Sequence, residues 1–267
     1  MSTLSIEIAG RHYRAHSESA LDISIPLDFN APQLHVYGAP TARATTYCQN
    51  GFVGDVQHGG SCNCQSYQII PHCHGTHTES IGHITKDKVA VNTLATQGLL
   101  LAELISVEPT QVNYKDGTQD LLVTAQHLQH LLRSHALKEY TALIIRTLPN
   151  DVSKLTRNYD TLPYPAYFEP LALEWLGSMG IEHLLVDVPS VDRISDEGRL
   201  LAHRAFWGLP VGNTNTSNAT RPHATLTELI YVPEHIQDGT YLLSLQIAPW
   251  RTDAAPSRPL LYPLLPL

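Results

Sequence analysis

The segment Cys73-His74-Gly75-Thr76-His77-Thr78-Glu79-Ser80-Ile81-Gly82-His83 decides how this sequence is interpreted. Gly75 and Gly82 disfavour a helix here, and residues 66–71 before them have the composition of a strand. In an extended segment, side chains separated by an even number of residues share one face. We therefore predict that one face carries the four metal-binding side chain types at odd-numbered positions: Cys73, His77, Glu79 and His83.

A thiol, two imidazoles and a carboxylate on one face form a donor set that suits zinc, with bonds of about 2.0–2.3 Å. A metal with an open coordination position lowers the pKa of bound water from about 15.7 towards about 7, which provides a nucleophile for a carbonyl compound. His72 and His74 are expected on the opposite face, where they support the site or the fold. The spacing alone leaves open a solvated strand without metal.

Composition is that of a globular protein, with 43% hydrophobic and 16% charged residues among 267. The formal net charge of -8 argues against a nucleic-acid partner, because phosphate binding needs a basic surface. Histidine is unusually frequent, with 15 against 17 lysines and arginines together. Tight clustering of histidines at positions 72, 74, 77 and 83 favours metal or proton chemistry.

The four cysteines, at positions 48, 62, 64 and 73, form no C-x-x-C pair, so the sequence indicates neither a zinc ribbon nor a thioredoxin motif. No signal peptide is visible, and no apolar run reaches the roughly 18 residues that span a bilayer. We therefore expect a soluble, cytoplasmic protein with reduced thiols, without a membrane partner. His58 is a further candidate for lining a substrate pocket.

Strands and helices alternate along the chain, which predicts an α/β architecture in one domain over residues 1–267. Strands are predicted at 21–26, 66–71, 99–107, 141–147, 181–188 and 241–248. Helices are predicted at 124–137 with Thr124 as N-cap, at 170–179, and from Ser195 to about Gly208. Residues 38–65 are expected to be irregular and 212–220 to be an exposed loop. No element is predicted for the Pro-rich segment 255–267.

The decisive segment resembles the signature H-x-G-T-H-x-D-x-P-x-H of the cyclase family, which includes bacterial kynurenine formamidase and isatin hydrolase. Gly75, Thr76, His77 and His83 match that pattern. Glu79 replaces the aspartate, and the remaining two departures are Cys73 for the first histidine and Ile81 for the proline.

The resemblance continues along most of the chain. Residues 22–27 (DISIPL) resemble the family's opening motif, and residues 143–147 (LIIRT) its central strand. Residues 186–192 (VDVPSVD) are similar to the family motif I-D-x-P-S-x-D. His203 fits the next histidine ligand of the family, and Glu228 fits its later glutamate.

Membership of that family implies a swivelling β/β/α-type fold with a mixed sheet core, and a homodimer or larger homo-oligomer. It implies one metal position held by Cys73, His77 and Glu79. A second position would be held or completed by Glu79, His203 and Glu228. His83, together with Glu228, would act in catalysis, with His83 as the acid/base beside the metal-bound water.

The sequence therefore predicts a metal-dependent hydrolase that cleaves a small amide, formamide or cyclic amide or lactone, arylformamidase-like, using zinc or alternatively manganese. A thiolate ligand favours zinc over manganese or magnesium. Two alternatives follow from the departures at Cys73 and Glu79. One is a non-catalytic family member that binds a small ligand or serves assembly. The other is a thiol enzyme with Cys73 as nucleophile and His77 or His83 as base.

Overall fold

The computed structural model describes residues 3–95, 98–114, 117–133 and 139–267. The strands are β1 Thr3–Ile8, β2 Arg11–His16, β3 Leu21–Asp22, β4 Arg43–Thr46, β5 Cys48–Gln49, β6 Phe52–Val53, β7 Gln65–Gln68, β8 His77–Glu79, β9 Leu100–Val107, β10 Thr110–Asn113, β11 Gln119–Val123, β12 Ala142–Thr147, β13 Tyr167–Phe168, β14 His183–Val186, β15 Thr225–Glu228, β16 Gly239–Ile247, β17 Ala254–Pro263 and β18 Leu265–Pro266. The helices are α1 Pro71–His74, α2 Ala125–Leu132, α3 Pro170–Ser178 and α4 Leu201–Trp207.

The central sheet closes on itself as a seven-stranded barrel. Its strand order is β16-β9-β12-β14-β15-β8-β17, and pairing between β16 and β17 closes the ring, with β3 added beside β17. Strands β9, β12, β14 and β15 run parallel, while β8, β16 and β17 join through antiparallel pairs. This closed mixed sheet confirms the predicted α/β architecture with a mixed sheet core.

Alternation along the buried strands divides the core between the two faces of the barrel wall. On β14, Leu184 and Val186 pack on the side of α2, α3 and α4, whereas Leu185 belongs to the cluster inside the barrel. Buried area on both faces explains why these strands are nearly continuous apolar runs in the sequence. The core therefore fixes the register of the parallel strands, and with it the edge where they end.

Most predicted elements are present with shifted ends. The helix predicted at 124–137 begins where expected, because the Thr124 side chain accepts a hydrogen bond from the His127 backbone as N-cap. The structure gives α2 as Ala125–Leu132, and residues 134–137 of the prediction lie outside the described residues. The Pro170 helix and the strands near 99–107, 141–147 and 241–248 are also found.

The prediction of one extended segment from Cys73 to His83 is wrong. Only β8, His77–Glu79, is extended, between the helical turn α1 and a 3-10 turn at Ile81–His83. Pro71 occupies the first turn of α1, where its fixed φ favours a helix. Gly75 ends it at φ 151° and ψ -168°, a conformation that is essentially restricted to glycine.

Two further differences concern the helix predicted from Ser195 and the Pro-rich segment 255–267. The helix predicted from Ser195 begins only at Leu201, because Glu197 and Leu200 adopt left-handed φ values of 59° and 49°. The segment 255–267, for which no element was predicted, contains β17, which pairs with β16 on one side and with β8 and β3 on the other. Its prolines do not prevent pairing of the ten-residue strand.

Candidate metal centre

The decisive segment lies in the middle of the sheet wall, because β8 pairs with β15 on one side and β17 on the other. The register places His77 opposite Glu228 and Glu79 opposite Leu226. Leu226 belongs to the core on the helix side, so His77, Glu79 and Glu228 face that side by strand alternation. The sheet alone therefore brings together three residues that lie up to 151 positions apart.

Glu79 is the central group of the cluster and is fully buried. Its Oε1 lies 3.0 Å from His203 Nε2, which α4 brings over the same face. Its Oε2 lies 3.4 Å from His72 Nε2 and 3.8 Å from His83 Nδ1. Each carboxylate oxygen thus faces different imidazoles, as expected of a carboxylate that serves two sides of a site.

Glu228 joins the cluster from the last position of β15. Its Oε2 lies 3.5 Å from His77 Nε2, and its Oε1 lies 3.7 Å from His203 Nε2. The backbone N–H of Val191 donates to Oε1 at 2.9 Å, which fixes the carboxylate. His77 in turn has its Nδ1 3.0 Å from the Gly75 carbonyl, so a proton on Nδ1 leaves Nε2 with its lone pair towards the cluster.

Asp192 holds His203 in place from behind. Its Oδ2 lies 2.5 Å from His203 Nδ1, and the backbone N–H groups of Ala202 and His203 donate to its two oxygens. A carboxylate that accepts from the rear nitrogen of an imidazole directs the other nitrogen forward, as is typical of histidine ligands of metals. Sequence analysis assigned Asp192 no role in the site.

A third carboxylate comes from Asp253, immediately before β17. Its Oδ2 lies 3.3 Å from His72 Nε2 and 3.6 Å from His83 Nδ1. The rings of His72 and His83 stack with centroids 4.5 Å apart, so both face the same carboxylate. Neither His72 nor Asp253 was a predicted site residue.

Unsatisfied polar atoms concentrate in this cluster. Within the described part of the chain, seven buried side-chain polar atoms have no hydrogen-bond partner, and five of them lie here. They are His72 Nε2, His77 Nε2, His203 Nε2 and both carboxylate oxygens of Glu79. Separations of 3.0–3.8 Å match the donor spacing around one ion, which is about 3.3 Å for zinc bonds near 2.0 Å in a tetrahedron. These residues therefore fit a divalent metal.

Three overlapping groups of donor atoms, each within 4.8 Å of one another, describe where such an ion fits. The first is His77, Glu79 and Glu228, the second is Glu79, His83 and His203, and the third is His72, His83 and Asp253. Nitrogen and oxygen donors of this kind suit zinc, and they also suit manganese when carboxylates dominate.

Positive charge in the cluster comes from histidines, since no lysine or arginine of the described chain lies within 4 Å of Glu79 or Glu228. Burial opposes ionisation of Glu79, but the charges of His83 and His203 outweigh it and hold the pKa of Glu79 well below its usual value. Burial lowers the pKa of His72, but Asp253 and Glu79 outweigh it and raise that pKa to about 10. A divalent cation would replace these protons as the counter-charge.

Cys73 does not join the donor groups found among the described residues. Successive residues of the α1 turn point about 100° apart, so the turn that brings His72 to Glu79 directs Cys73 elsewhere. Burial and then the charge of Asp160 raise the pKa of the Cys73 thiol. His74 is structural, because its Nδ1 accepts from the Ile70 N–H at 2.7 Å and its Nε2 lies 2.7 Å from the Pro40 carbonyl.

A cavity of about 300 Å³ opens beside the cluster. Its walls are Tyr37, His72, His83, Pro189, Ser190, Asp192, Arg193, Ile194, Asp196, Leu200, His203 and Glu228. Larger grooves of about 620 and 810 Å³ lie at α2 and around Trp250, but neither contains an atom of the cluster. The smaller cavity is therefore the candidate substrate pocket.

Tyr37 contributes to this pocket from the loop after β3. Tyr37 is 49% exposed as a residue, but local desolvation and then the nearby charge of Glu228 raise the pKa of its hydroxyl well above its usual value, so the hydroxyl remains protonated. His58, in contrast, is 76% exposed in its side chain, pairs with Asp55 at 2.6 Å and does not line the cavity.

Of the predicted site residues, the structure brings together five and leaves one apart. His77, Glu79, His83, His203 and Glu228 converge, whereas Cys73 does not. Pro71 was the signal in the sequence that could have predicted a helical turn here. With that turn, His72 and not Cys73 would have been the predicted site residue. No local signal marks Asp253, which reaches the site through the pairing of β17 with β8.

Comparison with known proteins identifies the family of this chain. A family model described as "Putative cyclase" matches residues 21–193, well over half of the chain, and the chain belongs to this cyclase family. The resemblance seen in the sequence is thereby confirmed. No curated protein sequence matches the chain.

Solved structures share the fold at low identity. An isatin hydrolase bound to the product analogue thioisatinate has a TM-score of 0.64 at 16% identity, covering 93% of this chain and 92% of its own. Isatin hydrolase A from Labrenzia aggregata, bound to benzyl benzoate, has a TM-score of 0.64 at 15% identity, and the match covers 91% of this chain and 93% of that one. A predicted metal-dependent hydrolase from Bacillus stearothermophilus has a TM-score of 0.56 at 15% identity, and the match covers 91% of this chain and 97% of that one. At these identities the similarity establishes the fold.

Among the helices of the described ranges, none combines the length and apolar character needed to cross a bilayer.

Proposed function

We propose that this chain is a metal-dependent hydrolase that cleaves a small amide, formamide, cyclic amide or lactone. The observation that carries the proposal is the convergence of five buried metal-ligating atoms, from His72, His77, Glu79 and His203, that have no hydrogen-bond partner. Leaving such atoms unpaired costs about 1–3 kcal/mol each, more for charged groups. A folded protein tolerates this loss of free energy when binding of a ligand, such as a metal ion, compensates for it.

The proposed metal residues are His77, Glu79, His203 and Glu228, with His72 in the position that the sequence suggested for Cys73. Zinc is the proposed ion, with manganese as the alternative. When bound, a divalent ion supplies a water of lowered pKa and polarises a substrate carbonyl. Membership of the cyclase family and the hydrolases among the structural neighbours support this class of reaction.

His83 is proposed as the acid/base that moves protons between the attacking water and the leaving group. Its side chain is 28% exposed and lines the cavity, unlike the fully buried His77. Its Nδ1 faces Asp253 Oδ2 at 3.6 Å, which orients the ring. Tyr37, protonated in the wall of the same cavity, provides a hydrogen-bond donor for a carbonyl oxygen in the pocket.

The thiol-enzyme alternative is not favoured. A nucleophilic cysteine needs a lowered pKa, and burial raises the pKa of Cys73. Cys48, Cys62 and Cys64 are exposed and free, and they do not line the cavity.

The proposal is tested by measuring metal content in protein purified without chelator, alongside hydrolysis of a panel of aryl formamides, cyclic amides and lactones. His77→Ala should lose metal and reduce kcat/KM at least about 10³-fold, because it removes a ligand of the ion that activates water. His223→Ala, a change at an exposed histidine, is the matched control and should retain both. Sub-stoichiometric zinc and manganese, unchanged by His77→Ala, would contradict the proposal.

A further inference from the structure

Arg193 brings a permanent positive charge to the wall of the candidate substrate pocket. Twelve described residues line this cavity, and Arg193 is the one lysine or arginine among them. Its guanidinium remains charged at any physiological pH. A small molecule that fills the cavity of about 300 Å³ beside the cluster around Glu79 therefore also comes within reach of a fixed cation.

Two neighbours hold the Arg193 side chain in position. Its Nε donates to Asp120 Oδ2 at 2.6 Å, and Asp120 is buried in β11. The guanidinium carbon lies 5.1 Å from the centre of the Tyr114 ring, a cation–π contact. Tyr114 is itself fixed by a hydrogen bond of 2.6 Å between its hydroxyl and that of Tyr167. An arginine clamped in this way loses little conformational entropy on binding a ligand.

The terminal nitrogens of Arg193 retain capacity for a ligand. Nε is used by Asp120, and Nη1 reaches the Ser195 carbonyl at 3.5 Å, the limit for a hydrogen bond. Among the described residues, Nη2 has no hydrogen-bond partner. Its two N–H groups, with the second one on Nη1, form the fork that binds a carboxylate with two parallel hydrogen bonds.

The carboxylates of the pocket walls do not compete for this fork. Asp192 is occupied by His203 and by the backbone of α4. Asp196 accepts from the backbone N–H groups of Gly198 and Leu200 at 2.8 and 2.6 Å. Asp120 neutralises the arginine from behind, but it does not line the cavity.

We infer that Arg193 binds an anionic group of the substrate, so that the pocket selects small carbonyl compounds that carry a carboxylate. This inference rests on the proposed hydrolase function for the identity of the reacting group, which faces the histidines. Pro189, Ile194 and Leu200 give part of the cavity wall an apolar character that suits an aromatic or aliphatic body.

Binding is tested with two ligands of nearly equal shape, 2-aminobenzoate and 2-aminobenzamide, titrated calorimetrically into the metal-loaded protein. The wild type should prefer the carboxylate, and Arg193→Gln should reduce affinity for 2-aminobenzoate about tenfold or more while leaving 2-aminobenzamide unchanged. Arg193→Lys should retain only part of the wild-type affinity for 2-aminobenzoate, because an ammonium group cannot form two parallel hydrogen bonds to a carboxylate. The control Arg199→Gln removes an exposed arginine of the same loop and should change neither affinity.

Direct binding of the carboxylate to the metal would also produce a preference for 2-aminobenzoate. A preference that survives Arg193→Gln undiminished would therefore overturn the inference. Equal losses for both ligands would overturn it as well, because they would indicate a change of pocket shape rather than lost recognition of charge.

Kinetics separates failure of this inference from failure of the proposed function. With 2-formamidobenzoate and formanilide as substrates, Arg193→Gln should reduce the ratio of kcat/KM for the anionic over the neutral compound about tenfold. If the wild type hydrolyses neither compound, but selective binding depends on Arg193, the hydrolase proposal fails and the anion site stands. If hydrolysis proceeds but Arg193→Gln leaves the ratio of kcat/KM unchanged, the proposed anion site is contradicted and the proposed hydrolase function is supported.

Discussion

Two buried clusters of charged residues lie at the same edge of the sheet, where the parallel strands β12, β14 and β15 end. In the first, Lys154 Nζ donates to Asp187 at 2.7 Å, to the Thr147 carbonyl at 2.8 Å and to two further oxygens. Asp187 also accepts from the Thr147 backbone and hydroxyl, both at 2.9 Å. All its charges and donors are matched by groups of the chain itself.

The second cluster, around Glu79, has the opposite character. Its carboxylates face imidazoles at 3.0–3.8 Å, no lysine of the described chain lies among them, and five buried atoms lack hydrogen bonds. The difference teaches that a buried carboxylate points to a ligand site when its oxygens lack hydrogen bonds, as those of Glu79 do and those of Asp187 do not. Asp187 stabilises the strand ends, whereas Glu79 is available for an ion.

Removing Lys154 should produce the largest effect, and it should be on stability. Lys154→Met leaves Asp187 buried without its partner, which costs about 3–5 kcal/mol in the free energy of unfolding. Urea denaturation measures this loss, and Lys88→Met, at an exposed lysine, is the control. Metal content per folded molecule should remain that of the wild type. A loss below about 1 kcal/mol would show that pairing of Lys154 with Asp187 does not stabilise the ends of these strands.

Changing Asp192 should give a smaller effect, and it should be on metal affinity. Asp192→Asn keeps an acceptor for the α4 backbone but no longer directs His203, and changes of this kind weaken metal binding about 10–100-fold. Competition with a chromogenic chelator measures the affinity. Asp196→Asn, on the same loop but not in contact with His203, should stay within about twofold of the wild type. Equal affinity for both variants would mean that His203 is not a ligand.

Changing Cys73 should have the smallest effect of the three. Cys73→Ala removes a buried sulfur that lies outside the donor groups, so it should cost about 1 kcal/mol of stability. Metal stoichiometry, measured by elemental analysis, should remain unchanged. Loss of the metal in this variant would restore the thiolate ligand that the sequence predicts and would place His72 outside the coordination sphere.

Sequence reasoning located the segment that carries the candidate site. Through spacing and family order it also named His77, Glu79, His203 and Glu228, which the structure brings together. It assigned Cys73 and not His72 because period-two alternation was applied through a proline-initiated helical turn. A change from extended to helical backbone at this point determines whether the side chain of residue 72 or of residue 73 reaches the cluster around Glu79.

Other residues of the site were beyond sequence reasoning for a different reason. Asp253 reaches His72 only because β17 pairs with β8, a contact between strands about 175 positions apart. Arg193 in the pocket wall is held by Asp120 of β11 and by Tyr114 of the turn before it, which lie more than 70 positions away in the sequence. Long-range strand pairing of this kind leaves no local pattern, whereas Thr124 as an N-cap was predictable because its partner lies three residues away.

The pairing of β17 also determines when the site can exist during synthesis of the chain. Chains emerge from the ribosome N-terminus first, at about 5–20 residues per second. The segment with His77 and Glu79 is therefore exposed for many seconds before residues 253–263 are made, close the barrel and complete the cluster. Until then its histidines are solvated and separate, so tight metal capture is a late event that follows closure of the barrel.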